Sequence, residues 1–161
     1  MYKKILVAID MSPMNKKVFT QALELAKMSE ATLSLLHILS TEEENSPLPI
    51  PPDLTVMYPV VGNDLTLESW REQWENFEKE GLELLKSRAE EASEAGVSTE
   101  FNQIPGNPGR MICKFARDSE VDLIVVGHRG LTGLSEIILG SVSNYVVHHA
   151  PCSVMIIQTH S

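Results

Sequence analysis

The residues best suited to chemistry lie in one stretch of the chain, between Gly127 and Ser143. Gly127 ends an apolar run, where a missing Cβ would let a ligand approach the backbone, and Gly130 permits a tight reversal that turns N–H groups toward one point. Further along, Gly140 and Ser141 begin a helix-like segment. The free amides of a helix N-terminus, with the positive end of its dipole and a serine hydroxyl, form an anion site. The stretch therefore predicts two groups of main-chain donors that hold a polyphosphate between them.

Glycines at such places also have a purely structural explanation. A Gly-x-x-Gly pair after a strand is common turn chemistry, and Gly127 and Gly130 alone would favour an ordinary turn. The additional Gly140-Ser141 pair shifts the balance toward ligand binding. The sequence has no Gly-x-x-x-x-Gly-Lys-Ser/Thr motif, and no Gly-x-Gly-x-x-Gly follows its first apolar run. These absences exclude a P-loop NTPase and argue against a dinucleotide site of the Rossmann type.

Asp10 stands at the end of the first apolar run and is the candidate metal ligand. A carboxylate there could hold Mg²⁺ or Mn²⁺ through water, or cap the helix that begins near Pro13, and the two roles are compatible. Arg129 could pair with a phosphate oxygen, and a solvated loop arginine is the alternative. Near the loop, only Asp10, His128 and Arg129 could support hydrolysis. We therefore assign no catalytic residue and favour binding over turnover.

The elements that position these residues are visible in the hydrophobic pattern. Four apolar runs are typical of strands covered on both faces, at residues 5–9, 32–38, 123–126 and 154–157. An alternating run at residues 97–103 predicts an edge strand. Helical periods separate the runs, with starts near Ser12-Pro13, Glu68, Asn107-Pro108 and Gly140-Ser141. Ser12 is the expected cap of the first helix, followed by proline in the first turn.

Strands that alternate with helices predict right-handed crossovers and a parallel sheet. We expect a single α/β domain over residues 1–161, with a five-stranded parallel sheet and helices on both faces. Ligands bind such sheets beyond the carboxyl ends of the strands, so the loops after residues 9, 38 and 126 should share one edge. Residues 40–66 break the pattern with a polar start and several prolines, which predicts a mobile insertion or a lid over that edge.

Composition narrows the function further. The chain has 161 residues and a net charge of −9, and no run of Lys or Arg exceeds two residues. Binding to nucleic acid needs clustered cations, so nucleic acid is not an expected partner. The first apolar run is too short for a signal peptide or a membrane span, which favours the cytoplasm and no membrane association. Cys113 and Cys152 lack metal-type spacing and are expected to be reduced thiols.

Three further features have ordinary structural explanations. His37 lies in a buried-looking strand and is expected to be a hydrogen-bonded core histidine. The helical spacing of Trp70, Trp74 and Phe77 predicts core packing, with a partner-binding face as the alternative. The acidic run at residues 42–44 is interpreted as a solvated loop.

The glycine pattern Gly127-x2-Gly130-x9-Gly140-Ser141, with Ala150-Pro151-Cys152 before the last strand, resembles the universal stress protein family. Residues 5–12 are similar to the first strand and loop of that family, and residues 35–38 to its second strand. The resemblance covers nearly the whole chain apart from residues 40–66. It implies the strand order 3-2-1-4-5 and a homodimer through the final strands. The complete glycine motif resembles the nucleotide-binding branch of the family.

Carried over by position, the resemblance implies a site for an adenine nucleotide, ATP or AMP. Adenine would lie against Ala8, Ile9 and Ile38, and the ribose and a metal-linked phosphate near Asp10. The phosphates would meet Gly127, Arg129, Gly130, Gly140, Ser141, Val142 and Ser143. His128 also lies in this loop, at a position where the family varies.

Three functions remain open at this point. The first is a stress-response protein that binds ATP or AMP and acts as a sensor or regulator, through contacts that change with nucleotide occupancy. The second is a slow ATPase or phosphotransferase that uses Asp10 and a metal ion. The third is a dimeric scaffold that binds no nucleotide.

Overall fold

The computed structural model describes residues 1–43, 46–47, 63–129 and 139–159. The strands are β1 (Lys4–Ala8), β2 (Thr32–Leu39), β3 (Thr99–Pro105), β4 (Leu123–Arg129) and β5 (Ser153–Thr159). The helices of the described residues are α1 (Asn15–Ser29), α2 (Asn63–Glu94), α3 (Pro108–Asp118) and α4 (Ser141–His149). The strands form one parallel five-stranded sheet in the order β3-β2-β1-β4-β5, which confirms the predicted fold.

Helices cover both faces of the sheet. Alternate residues of β1 point to opposite sides, so that Ile5 and Val7 join one core cluster and Leu6 joins the other. The first cluster packs beneath α1 and α2, and the second beneath α3 and α4. The central strands are therefore buried on both faces, whereas β3 at the edge shows the alternating burial that its sequence predicts.

The N-terminus of α3 follows the prediction, and that of α1 does not. Asn107 caps α3 as predicted, since its side chain accepts a hydrogen bond from the backbone N–H of Arg110 at 3.1 Å. The predicted cap of α1 at Ser12 is wrong, because that helix begins at Asn15 with Met14 in the cap position. The Ser12 hydroxyl instead donates to Asp10.

Helix α2 begins at Asn63, a few residues before the expected start at Glu68. Of its aromatic residues, Phe77 packs toward the sheet as predicted, whereas Trp70 and Trp74 are half-buried. Phe77 is buried and meets Trp74 edge-on, with ring centroids 5.8 Å apart, and His37 of β2 edge-on at 6.0 Å. Residues 44–45 and 48–62 lie outside the described part of the chain, so most of the predicted insertion lies there too.

The remaining structural expectations concern the thiols and the membrane. Cys113 and Cys152 are both free, as predicted, and burial raises the pKa of each thiol. Among the helices of the described residues, none combines the length and the apolar character that crossing a bilayer requires.

Candidate functional site

A cavity of about 450 Å³ opens at the carboxyl ends of β1, β2 and β4. This is the edge of the sheet that the alternating pattern predicts for a ligand. The volume falls within the range of small-molecule sites. The lining residues are 8–10, 36–38, 42–43, 108, 112, 126–128 and 139–143.

The floor of the cavity is apolar. Ile9 and Ile38 are almost fully buried, and Leu36 and Val126 extend the same surface. These residues lie in or directly after three adjacent strands, whose carboxyl ends the parallel register brings together. Such a surface suits a flat, weakly polar ring, which gains stability from the burial of its faces.

The N-terminus of α4 forms the opposite wall. The first hydrogen bond within this helix runs from the N–H of Asn144 to the carbonyl oxygen of Gly140 at 2.9 Å. The N–H groups of Ser141, Val142 and Ser143 therefore precede the ladder of the helix, at the positive end of its dipole. No described atom lies within 4 Å of the place where a Cβ on Gly140 would stand. The cavity thus combines an apolar floor with a wall that can bind an anion.

His128 ties this wall to the sheet. It is only 5% exposed, and its Nδ1 accepts a long hydrogen bond of 3.4 Å from the N–H of Gly140. Because a backbone N–H only donates, Nδ1 of His128 is the acceptor in this contact. The role of this histidine could not be predicted from the sequence, and in the structure it holds the N–H of Gly140.

Gly127 lies on the cavity, but its lack of a side chain serves packing. A Cβ there would stand 2.7 Å from Cγ2 of Val18 and 3.1 Å from Cε of Met14, both from the α1 side of the sheet. The expectation that this glycine admits a ligand to the backbone is therefore wrong in its physical reason. Its carbonyl oxygen accepts a hydrogen bond from the hydroxyl of Ser143 at 3.1 Å, which commits that hydroxyl proton to the junction of β4 and α4.

Asp10 closes a turn directly after β1. Its Oδ1 accepts hydrogen bonds from the N–H of Ser12 at 3.0 Å and from the Ser12 hydroxyl at 2.5 Å. This is the local side-chain turn that aspartate favours. Within the described residues, no group of three or more His, Cys, Asp or Glu side chains is placed to hold a metal ion.

Two glutamates on the cavity wall were missed by the sequence interpretation. The Glu43 side chain is only 9% exposed and bonds to His37 and to the N–H of Met11. The Oε1 of Glu42 accepts from Nδ2 of Asn107 at 3.4 Å. The interpretation of this run as a solvated loop is therefore wrong for Glu43, and the run's last residue, 44, lies outside the described part. Hydrophobic periodicity does not predict the contact between Glu43 and His37. The available signal is that the ring N–H of a histidine in a buried strand requires a hydrogen-bond acceptor.

Most of the predicted binding residues line the cavity, namely Ala8, Ile9, Asp10, Ile38, Gly127, His128, Gly140, Ser141, Val142 and Ser143. Arg129 is the last residue of β4, where it pairs with Thr159, and its side chain lies outside the description. Gly130 also falls outside the described residues. The sequence did not predict Leu36, Val126, Leu139, or the α3 residues Pro108 and Ile112, as lining residues.

Comparison with protein families gives a match to the model of the "Universal stress protein family" over residues 1–158. Universal stress protein Slr1101 of Synechocystis is 52% identical over 103 residues, covering 64% of this chain and 95% of the relative. Universal stress protein Sll1388 of the same organism is 36% identical over 160 residues, covering 98% of each chain.

Solved structures share the fold. Universal stress protein UspA from Lactobacillus plantarum superposes with a TM-score of 0.72 and 25% identity, over 97% of both chains. A universal stress protein family protein from Arabidopsis thaliana with AMP bound gives a TM-score of 0.61 and 25% identity, over 99% of this chain and 93% of the other. A universal stress protein from Archaeoglobus fulgidus in complex with dAMP gives 0.62 at 19% identity, over 97% and 98%, a likeness of fold.

Proposed function

This chain belongs to the universal stress protein family, and from that premise we propose that it binds an adenine nucleotide in the cavity beside β1, β2, β4 and α4. The proposal depends on one observation, which is that the apolar floor and the N-terminus of α4 line the same cavity of about 450 Å³. A nucleotide has the matching character, with an apolar ring face at one end and an anion at the other.

The proposed placement follows the two walls. Adenine packs on Ala8, Ile9 and Ile38, and the ribose lies near Asp10. The phosphate takes hydrogen bonds from the N–H groups that open α4, at residues 141–143, with Gly127, Arg129 and Gly130 as further phosphate neighbours. The AMP-bound Arabidopsis protein supports this placement through its shared fold at 25% identity.

The nucleotide is ATP or AMP, since both present adenosine and an α-phosphate to the same walls. With ATP, Mg²⁺ or Mn²⁺ would accompany the phosphates, and Asp10 is the carboxylate proposed to meet it through water. Carboxylate oxygen is the donor type that these hard cations prefer, so the residue fits the group.

We propose a sensor or regulator in the response to stress, with binding favoured over turnover. Phosphoryl transfer needs cations that neutralise developing charge and a group that orients the nucleophile. The described residues that line the cavity include no lysine or arginine, and Nδ1 of His128 is occupied by Gly140. A slow ATPase that depends on Asp10, and a scaffold that binds no nucleotide, are the alternatives.

We also propose a cellular location and an oligomeric state for the protein. The protein works in the cytoplasm as a homodimer through β5, which is an edge strand of the sheet. Its net charge of −9 argues against nucleic acid as a partner. Residues 42 and 43, at the start of the predicted insertion at residues 40–66, line the cavity.

Mass spectrometry of the small molecules released on denaturing the purified protein tests the proposal first. We expect AMP or ATP in amounts close to the protein concentration, and calorimetric heat when either is titrated into nucleotide-free protein. Absence of both signals would leave only the scaffold. Phosphate release far above background, abolished by Asp10→Ala, would establish the enzyme instead.

A further inference from the structure

A chain of hydrogen bonds runs from α2 to the turn beside the cavity, and its direction can be assigned. Nε2 of Gln103 lies 3.0 Å from the carbonyl oxygen of Glu78 and 3.0 Å from Nδ1 of His37. A backbone carbonyl only accepts, so the NH₂ end of the Gln103 amide must face it. The same NH₂ group then donates to His37, and Nδ1 of that ring must accept.

The assignment at Nδ1 also determines which nitrogen of the His37 ring carries the proton. With Nδ1 as acceptor, the proton of His37 is on Nε2, which lies 2.9 Å from Oε2 and 3.2 Å from Oε1 of Glu43. His37 is 1% exposed, and the Glu43 side chain 9%. The carboxylate is therefore held by a single tautomer of a buried ring, with little competition from water.

Glu43 also contacts the loop after β1. Its Oε1 accepts a hydrogen bond from the N–H of Met11 at 2.6 Å. Met11 lies between Asp10 and Ser12, the two residues whose side chains close the turn. A residue of the β2 loop thus holds the centre of the turn that presents Asp10 to the cavity.

We propose that Glu43 is a positioning residue for the nucleotide site, and that Gln103 and His37 orient its carboxylate so that the Asp10 turn is fixed before the nucleotide arrives. The positioning of the Asp10 turn is inferred from the geometry alone, whereas its effect on nucleotide binding rests on the proposed function. A turn that is already fixed loses less conformational entropy when the nucleotide binds.

Gly81 gives independent support for the contact between Gln103 and His37. It lies inside α2, where glycine weakens a helix relative to alanine. A Cβ at this position would stand 2.4 Å from Nε2 of Gln103 and 2.7 Å from Nδ1 of His37. The helix therefore leaves room for the two polar groups to meet at the point where the chain of hydrogen bonds begins.

The test compares Glu43→Gln with Glu90→Gln, which makes the same charge change at an exposed site on α2. In either orientation, the NH₂ group of a glutamine at position 43 would face an N–H donor, of His37 or of Met11. AMP should bind about tenfold more weakly to Glu43→Gln, whereas Glu90→Gln should bind like the wild type. In an Asp10→Ala background the same Glu43→Gln change should add less than about twofold, since the turn no longer presents a carboxylate.

Nuclear magnetic resonance reports on the positioning without a nucleotide. Ring ¹⁵N shifts of His37 should show the Nε2–H tautomer, and Glu43→Gln should shift the Met11 amide and speed its hydrogen exchange. Gln103→Leu, which removes the donor to Nδ1, should weaken the tautomer preference. An Nδ1–H tautomer in the wild type, an unchanged Met11 amide, or full additivity with Asp10→Ala would overturn the inference. A wild-type protein that binds no AMP but shows the Met11 response would contradict only the proposed function.

Discussion

The hydroxyl of Ser143 donates a hydrogen bond to the carbonyl oxygen of Gly127 at 3.1 Å, across the junction of β4 and α4. A second contact, from the N–H of Gly140 to Nδ1 of His128 at 3.4 Å, spans the same junction. Together they hold the first turn of α4 against the end of β4. The residues that open the helix therefore face the space above the apolar floor.

Ser143→Ala removes the better of these two contacts. The variant loses the hydrogen bond between the buried Ser143 side chain and the carbonyl oxygen of Gly127, and we expect the free energy of unfolding to fall by about 1 kcal/mol. Urea denaturation measures this change. Ser87→Ala, at an exposed position on α2, is the matched control and should be neutral or slightly stabilising. Equal stability of the two variants would contradict the role of the Ser143 hydroxyl.

Gly81→Ala should destabilise the protein, although alanine is the better helix former by about 1 kcal/mol. The added Cβ displaces Gln103 and His37 from each other, and overpacking of this kind costs about 1–3 kcal/mol. Urea denaturation and AMP titration should both register the loss. A variant more stable than the wild type would mean that the two side chains move aside freely.

Asp122 should make the stability depend on acid. Hydrogen bonds from the backbone N–H groups of Lys3 and Lys4 lower the pKa of its carboxyl from the ordinary 3.8. Because the folded-state pKa is the lower one, this stabilisation is present above pH 3.8 and is lost as the pH falls through the folded value.

The variant Asp122→Asn isolates this contribution. Its unfolding free energy should lie below that of the wild type at pH 7, and the gap should narrow as the pH falls through the range of that carboxyl. Urea titrations between pH 7 and pH 3 measure the gap. A gap that stays constant over this range would show that the charge of Asp122 contributes nothing.

The sheet and the location of the cavity could be predicted from the sequence because both follow from local patterns. Apolar runs of strand length alternate with helical periods, and this alternation alone implies a parallel sheet with its ligand edge at the carboxyl ends. The strand order came from the resemblance to a family. The helix N-terminus at Gly140 and Ser141 could be predicted from a glycine-serine pair before a helical period.

The errors concern side-chain contacts that the hydrophobic pattern of the sequence does not record. Gly127 is small because α1 packs against it through Val18, and nothing near Gly127 in the sequence records that packing. Ser12 looked like a helix cap, but Asp10 competes for its hydroxyl. Glu43 looked solvated because its partner His37 is supplied by a buried strand, which periodicity identifies as core without naming what it bonds.

The central claim is that the opening of α4 binds a phosphate group, and titration calorimetry of AMP into Gly140→Asp tests it most directly. Gly140 has φ −62° and ψ 163°, which suit any residue, and aspartate is a favoured helix cap. The variant should therefore fold at least as well as the wild type while its carboxylate repels the phosphate. Gly140→Ala, which adds only a methyl group, is the control. We predict that AMP binds the wild type and Gly140→Ala but gives no detectable heat with Gly140→Asp; wild-type affinity in a folded Gly140→Asp protein would contradict the account.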